Sequence, residues 1–357
     1  MNRRELLAGS LGGAALVGLG PVQAQGRTPR RFMVDALAIG GAGSVDGPEV
    51  LAAGMDALVL DMTIFPRAQG EATAALSAWN TRVAEDGAAL SLIRKGADFQ
   101  AARDAGKLGV VIACQDASIL GPSVISYSDR NLEALRAMHA AGLRILQLTH
   151  NERTGAGDGF MEPQDGGLSL LGARVVEEMG RLGGLIDLSH CSERTTIEAI
   201  RLSAGPIAVT HAGCRALHPS LRNKTDEAIR ALADKGGFFG VFMMSRWLTD
   251  RDTSSVEDVV DHIDHVVKIA GIEHVGIGTD SDLNGYDDMP PDQIALAKSF
   301  YKSSYGFRDK LDTDGFDDPA RFYNLTEALV RRGYSDAHIT AILGGNFRRL
   351  LGQVWLP

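Results

Sequence analysis

The stretch Gly184-Leu185-Ile186-Asp187-Leu188-Ser189-His190 decides the predicted fold, and Pro206-Ile207-Ala208-Val209-Thr210-His211 repeats its pattern. Each is a short run of apolar and β-branched residues that ends on a histidine. Strands of a parallel sheet are buried on both faces and therefore read as continuous apolar runs. A polar residue at the carboxyl end of such a strand lies where barrel and doubly wound enzymes build their sites. The two runs therefore predict parallel strands that bring two imidazoles to one rim.

This histidine pair has two interpretations. Two imidazoles on neighbouring strands can share a metal ion. Alternatively, each ring is a core histidine whose nitrogens are satisfied by backbone carbonyls. The matching positions at two strand ends favour a shared site, because the carboxyl rims of barrels carry the catalytic residues.

The whole chain alternates between strand-like and helix-like stretches. The strand-like runs cover residues 32–39, 57–63, 109–114, 144–149, 184–189, 206–210, 237–243 and 274–278. Amphipathic helical patterns lie between them, at residues 77–95, 128–141, 169–182, 192–203, 225–234 and 256–270. Eight β/α alternations favour an α/β fold with a single (β/α)8 TIM barrel over residues 25–357. Residues 319–351 predict two extra C-terminal helices outside the barrel.

Composition and charge narrow the class of protein. The chain has 36 Lys+Arg against 45 Asp+Glu, a formal net charge of −9, and no basic stripe, which argues against a nucleic-acid partner. Its three cysteines, Cys114, Cys191 and Cys214, form no disulfide framework. All three lie near predicted strand ends, which leaves open a cysteine-containing metal site. Neighbouring positions on a strand face opposite ways, however, and this disfavours such a site.

The first residues have the features of a targeting segment. Asn2-Arg3-Arg4-Glu5-Leu6-Leu7 resembles a twin-arginine start, a Gly/Ala-rich apolar run follows to residue 20, and Val22-Gln23-Ala24 offers a cleavage site. Residues 1–24 therefore predict a twin-arginine-type signal and export of the folded protein to the periplasm. A disordered basic tail is the alternative. The apolar run is too short and too glycine-rich to span a bilayer, so no transmembrane segment is expected in the mature chain.

Polar residues at the predicted strand ends form the candidate site. His150 ends the fourth strand, His190 and His211 end the fifth and sixth, and Asp280 follows the eighth. Three histidines and an aspartate at one barrel mouth indicate metal-assisted hydrolysis, in which the aspartate accepts a proton from water. Arg222 follows the sixth strand, and its guanidinium group matches the geometry of a substrate carboxylate.

Each of these residues also has a simpler interpretation. His150 fits a hydrogen-bonded rim residue, Arg222 a loop arginine paired with Asp226, and Asp280 a turn cap. His262 and His265 fall one turn apart inside a helical pattern, which predicts that they lie on that helix's polar face.

Several short motifs, spread along nearly the whole predicted mature chain, occur in a characteristic order. They are Thr149-His150-Asn151, Gly172-Ala173-Arg174, Gly183-Gly184 through His190, Thr210-His211-Ala212, Arg222-Asn223, Gly278-Thr279-Asp280-Ser281-Asp282 and Gly345-Asn346-Phe347. In this order they resemble the membrane (renal) dipeptidase family. Members of that family are TIM barrels of the metallo-dependent hydrolase type that cleave dipeptides with two zinc ions near the barrel mouth.

The resemblance implies a role for each residue of the candidate site. His190 and His211 would hold the second metal ion, and His150 would steady the oxyanion. Arg222 would take the substrate's carboxylate, and Asp280 would transfer the proton. The expected partner is a dipeptide or another small-molecule substrate, and a homodimer is compatible with the resemblance.

The first metal site departs from the family pattern. The family's first strand ends in a His-x-Asp pair of ligands, and Leu37 and Ile39 stand at those positions. The family's bridging glutamate appears as Gln115, whose neutral amide oxygen is a weak ligand. We therefore expect one zinc ion at most, or none, held by His190 and His211 with Gln115 as a weak ligand.

Three functions are compatible with these residues. The first is an exported dipeptidase-like hydrolase of a dipeptide or small amide. The second is a catalytically degenerate barrel that binds a small peptide or amino-acid derivative. The third is a non-hydrolytic acid/base enzyme of periplasmic tailoring that uses His150 and Asp280. The fold alone does not choose among them, because barrels host many chemistries.

Overall fold

The structure is a computed structural model that describes residues 30–40, 42–43, 45–62, 68–122, 129–286, 290–292, 294–295 and 310–355. The described residues from 32 onward belong to one compact unit. The predicted signal segment, residues 1–24, lies outside the described residues. No helix in the described part of the chain combines the length and the apolar character needed to cross a bilayer.

A ring of eight parallel strands forms the centre of the molecule. The described residues contain eleven strands, which in chain order are β1 (Val34–Ala38), β2 (Ala57–Asp61), β3 (Leu90–Leu92), β4 (Leu108–Cys114), β5 (Leu143–Gln147), β6 (Leu185–Asp187), β7 (Ala208–Ala212), β8 (Phe238–Val241), β9 (Ser254–Ser255), β10 (Val275–Ile277) and β11 (Thr313–Asp314). Strands β9 and β11 pair with each other in a separate two-stranded sheet. Their order around the ring is β1-β2-β4-β5-β6-β7-β8-β10, and β3 pairs with β4. Each of the eight predicted strand positions is confirmed.

The ring closes between β1 and the segment after β10. Asp280 N donates to Leu37 O at 2.9 Å, and Ile39 N donates to Ser281 O at 3.0 Å. These bonds bring the last strand beside the first, and the predicted (β/α)8 barrel is confirmed.

Helices follow most of the strands and cover the outside of the sheet. They are α1 (Gly47–Ala52), α2 (Gln69–Glu85), α3 (Gly96–Asp104), α4 (Arg130–Ala141), α5 (Leu170–Leu182), α6 (Glu193–Leu202), α7 (Asp226–Asp234), α8 (Ser245–Leu248), α9 (Val256–Ala270), α10 (Arg321–Arg332), α11 (Asp336–Thr340) and α12 (Asn346–Val354). Ser169, Ser192 and Thr225 cap the amino ends of α5, α6 and α7 by accepting backbone N–H groups. Local capping chemistry therefore sets where these helices begin.

Two local predictions differ from the structure. The helix predicted at residues 77–95 is wrong in its second half, because α2 ends at Glu85 and β3 follows. Gly87 weakens the helix, and Leu90 becomes buried where β3 pairs with β4. The sequence also offers a capping box at Ser254 and Glu257, but the capping box of α9 uses Ser255 and Asp258, because Ser254 pairs with β11.

The lumen of the barrel is apolar at its amino end. Residues from strands all round the ring form one buried cluster, which includes Val34, Ala57, Val59, Val111, Ala113, Ile145, Leu185, Ala208 and Phe238. Helix α12 adds Phe347 and Leu350 to this cluster, and the Phe347 ring lies 4.9 Å from that of Phe238. The last helix therefore closes the base of the barrel, whereas the sequence predicted two helices packed outside it. The polar side chains of the lumen lie toward the opposite, carboxyl end of the barrel.

His262 on α9 is buried, and its predicted place on a polar face is wrong. Its Nδ1 accepts from Cys214 N at 2.8 Å, and its Nε2 donates to Leu248 O at 3.0 Å. The ring therefore joins the segment after β7 to the end of α8. Burial lowers the pKa of His262 to about 4. His262 is therefore neutral in the folded protein at neutral pH.

This buried ring predicts a pH dependence of stability. The ordinary pKa of histidine is 6.5, so the unfolded chain binds a proton before the folded one as the pH falls. The free energy of unfolding should therefore decrease between pH 6.5 and pH 4, by about 3 kcal/mol from this group. His262→Gln keeps an acceptor and a donor but cannot titrate, so it should show less of that decrease. Urea unfolding at pH 7 and pH 4.5 measures the difference, with His338→Gln on the exposed face of α11 as the control. Equal pH slopes for wild type and His262→Gln would contradict this role.

Candidate active site at the carboxyl rim

Two buried imidazoles meet at the carboxyl ends of β6 and β7. His190 lies three residues beyond the end of β6, and His211 lies inside β7. Their Nε2 atoms are 2.9 Å apart. The sequence-based expectation that these two strands bring their histidines together matches this geometry.

Hydrogen bonds on the far side of each ring indicate which nitrogen carries the proton. His190 Nδ1 lies 2.7 Å from Asn151 Oδ1, an acceptor. His211 Nδ1 lies 2.8 Å from Thr210 Oγ1, which donates its own proton to Asp187 Oδ2 at 2.7 Å. Both Nδ1 atoms are therefore donors, and the lone pairs of the two Nε2 atoms face each other.

Asp280 and Arg222 complete this group. Asp280 Oδ1 lies 3.8 Å from His211 Nε2, and Asp280 Oδ2 lies 3.8 Å from Arg222 Nη2. One ligand atom each from His190, His211 and Asp280 falls within 4.8 Å of the others. In the described part of the chain this is the one group of three such residues with metal-ligand spacing. Imidazole nitrogens and a carboxylate oxygen are donors that zinc accepts.

Burial sets the protonation of these side chains. Burial, followed by the charge of Arg222, holds the pKa of His190 and of His211 well below the usual range. Burial raises the pKa of Asp280 to about 7, against the opposing charge of Arg222. Neutral imidazoles are the form that binds a metal, and a carboxyl that titrates near neutrality suits proton transfer.

Asp280 also has an unusual backbone conformation. Its φ is +60°, and no other non-glycine residue in the described ranges has a positive φ. Strain of this kind is found where a side chain must be held at a site.

Arg222 is fully buried and surrounded by aromatic rings. The guanidinium carbon lies 5.9 Å from the ring centre of Phe160, 5.3 Å from that of Phe242 and 5.7 Å from that of Trp247. Its Nη1 donates to Ser189 O at 2.7 Å, and its Nη2 donates to His190 Nε2 at 2.9 Å. The alternative pairing with Asp226 is wrong, because Asp226 bonds to side chains of the outer helices. The positive charge is therefore held inside the pocket.

His150 forms the outer wall of the same pocket. Its ring stacks on that of His190, with ring centres 4.3 Å apart and an interplanar angle of 21°. His150 is half-buried and lies beside the metal-ligand group.

Gln115 lies outside the group formed by the two histidines and Asp280. Its Nε2 donates to Asp61 Oδ2 at 3.2 Å. Leu37 is packed in the lumen cluster, and Ile39 uses its backbone at the barrel closure. The described structure therefore adds no imidazole or carboxylate ligand at positions 37, 39 or 115. The three cysteines are buried and take no part in the metal-ligand group.

The sequence analysis did not identify the side chains that orient the site histidines through hydrogen bonds. Asp187 accepts from Ser189 N at 3.0 Å, Ser189 Oγ at 2.5 Å, Thr210 N at 2.9 Å and Thr210 Oγ1 at 2.7 Å. Asn151 orients His190 from the next strand end. The available signal was a polar residue inside an otherwise apolar strand, since burying such a residue requires hydrogen bonds.

Comparisons with known proteins place the chain in a family. The family model for membrane dipeptidase (peptidase family M19) matches residues 42–292. Dipeptidase tcpJ of Claviceps purpurea is 30% identical over 242 residues, which are 67% of this chain and 51% of that protein. Dipeptidase aclJ of Aspergillus oryzae is 30% identical over 241 residues, 66% of this chain and 51% of that protein. The chain thus spans about half the length of these curated relatives.

Solved structures share the fold of this chain. An amidohydrolase from Pseudomonas aeruginosa is similar with a TM-score of 0.79 and 26% identity, over 91% of this chain and 97% of that one. The probable dipeptidase PvdM from Pseudomonas aeruginosa shares the fold, with a TM-score of 0.74 and 22% identity over 91% and 96% of the two chains. The family match covers His150, His190, His211, Arg222 and Asp280 alike. The chain belongs to the membrane dipeptidase family, peptidase family M19.

Proposed function

We propose that this chain is an exported metallohydrolase that cleaves a dipeptide or another small amide, with zinc as its one metal ion at most. The observation that carries the proposal is the convergence of two imidazole Nε2 atoms and the Asp280 carboxylate beside the buried Arg222. Membership of a dipeptidase family supports the same reaction.

The residues present fit a single zinc ion. Both Nδ1 atoms of His190 and His211 are hydrogen-bonded, which is the outer arrangement that orients histidine ligands of zinc. Their Nε2 lone pairs would hold the ion, with the Asp280 carboxylate alongside. Leucine, isoleucine and an amide stand at positions 37, 39 and 115, and this supports one ion rather than two. When bound, zinc supplies a Lewis acid that activates water and polarises a carbonyl group.

The chain's own residues would divide the remaining work. Arg222 would bind the substrate's carboxylate through its guanidinium group. Asp280 would accept the proton of the attacking water and pass it to the leaving amine. His150, stacked on His190 at the pocket wall, would donate a hydrogen bond to the developing oxyanion. Phe160 and Trp247 would exclude water from Arg222.

A second function, binding of a small peptide without hydrolysis, is favoured by one contact. Arg222 Nη2 donates to His190 Nε2 at 2.9 Å and so uses a lone pair that a metal ion would need. In that case the pocket would be a cationic binding site with two neutral histidines as hydrogen-bonding partners.

Metal analysis and a peptide assay separate the two functions. The full chain would be expressed in a bacterium, purified from the periplasmic fraction and tested on L,L- and L,D-dipeptides with and without added zinc. The proposal expects about one zinc ion per chain and faster hydrolysis when zinc is present. Tight dipeptide binding without metal or turnover would favour the second function. If the protein neither bound nor hydrolysed any of the dipeptides, both functions would be overturned. If the protein were confined to the cytoplasmic fraction, the proposed export would be overturned.

A further inference from the structure

Two glutamines lie side by side inside the barrel, below the site described above. Gln147 ends β5, and Gln115 directly follows β4. Cys114 pairs with Leu146 in the register of these two strands, so the two glutamines are neighbours across the strand pair. Each lies two residues beyond an apolar residue of the lumen cluster, which puts both side chains on the lumen face.

The amide groups of this glutamine pair have fixed orientations. Gln115 Nε2 donates to Asp61 Oδ2 at 3.2 Å, and Gln147 Nε2 donates to the backbone oxygen of Gln115 at 2.6 Å. Turning either amide over would place its oxygen against another acceptor oxygen, so the hydrogen bonds determine which atom is which.

Both amide oxygens are buried and need a donor. Gln115 is 7% exposed and Gln147 is 0% exposed. Neither Oε1 atom has a hydrogen-bond partner among the residues that the structure describes. Leaving a buried carbonyl oxygen without a partner is unfavourable, so two of them on adjacent strands indicate a place for a bound donor group.

Charge indicates what kind of donor fits. Asp61 Oδ2 accepts from Gln115 Nε2, so a carboxylate lies next to the Gln115 amide. A primary ammonium group carries a positive charge and three N–H donors, so one such group can satisfy both oxygens. A neutral acylated nitrogen has one donor and no charge.

We propose that the glutamine pair, with Asp61 beside it, receives the α-ammonium group of a short peptide substrate. The proposal rests on the proposed function and specifies its substrate class as peptides with an unmodified amino terminus. The Arg222 guanidinium bonds to Ser189 O and His190 Nε2 just beyond β6, the strand that neighbours β5. Side chains reach inward from both places, so a short peptide would be held at both ends.

Binding measurements test this assignment without relying on turnover. Calorimetry on the purified full-length protein would compare alanyl-alanine with its N-acetyl form and with its C-terminal amide. Wild type should bind the unmodified peptide at least about tenfold more tightly than the N-acetyl peptide, as expected for hydrogen bonds to a charged group. Gln147→Met and Gln115→Met should each reduce that preference to within about threefold, while the preference over the C-terminal amide stays unchanged. Gln100→Met on the exposed helix α3 is the matched control.

The outcomes separate this inference from the proposed function. Equal binding of the unmodified and N-acetyl peptides, or a preference unchanged in both glutamine variants, would overturn the ammonium site and leave a structural water there. A requirement for K⁺ that affects both peptides alike would assign the oxygens to an inorganic cation and also overturn it. A retained preference without hydrolysis would overturn the proposed function alone. Failure to bind either peptide would overturn both. Melting curves identify a variant that does not fold, and the other variant then decides.

Discussion

Replacing His211 with alanine is expected to remove bound zinc and to lower kcat/KM for dipeptide hydrolysis by at least about 10³-fold. The reason is geometric, because the His211 Nε2 lone pair faces His190 Nε2 at 2.9 Å and Asp280 Oδ1 at 3.8 Å. Without it, a single imidazole would remain to hold the ion. Zinc content by mass spectrometry of the metal and kcat/KM on the same preparation measure both effects.

Two further variants should have smaller effects than His211→Ala. Asn151→Ala removes only the partner of His190 Nδ1 and should lower zinc affinity or rate by about 10–100-fold. His338→Ala, on the exposed face of α11, should leave both unchanged. Equal zinc content and rate in His211→Ala and wild type would show that the metal is held elsewhere.

Replacing Asp187 with alanine is expected to lower the free energy of unfolding by about 3–5 kcal/mol. The buried carboxyl accepts four hydrogen bonds from Ser189 and Thr210. Its removal leaves those donors without an acceptor in the interior, where an unsatisfied polar group is costly. It also releases Thr210 Oγ1, which orients His211 Nδ1, so activity should fall as well.

Urea unfolding at neutral pH measures the loss of stability. Asp187→Asn keeps the size of the side chain and part of its accepting capacity, so it should lose less than Asp187→Ala. Asp104→Ala, on the exposed surface of α3, should change the free energy of unfolding by no more than about 0.5 kcal/mol. A loss for Asp187→Ala as small as that of Asp104→Ala would contradict the role of this network.

A second buried aspartate accepts hydrogen bonds from a threonine where the barrel closes. Asp35 is fully buried and accepts from Thr279 N at 2.8 Å and from Thr279 Oγ1 at 2.6 Å. Burial raises its pKa to about 6. Strands β6 and β7 share one register pair, Asp187 with Ala208, and β1 meets the segment after β10 through an isolated bridge. At both places a buried aspartate and a threonine join strands that have little regular backbone pairing.

The sequence by itself determined the barrel and the positions of the polar residues at its carboxyl rim. Buried parallel strands are continuous apolar runs, and the polar residue that ends each run stands out, so His150, His190, His211 and Asp280 could be identified without coordinates. This works because strand burial and strand ends are local properties of the chain.

The tertiary structure alone decided how those residues are held. Asp35 and Thr279 are 244 positions apart, and Gln115 and Asp61 are 54 apart, so no local pattern reveals that they bond. The burial of His262 likewise depends on a backbone group 48 residues away. Contacts of this kind form only when the ring closes, because closure brings strand ends from all parts of the chain into one lumen where every polar group must find a partner.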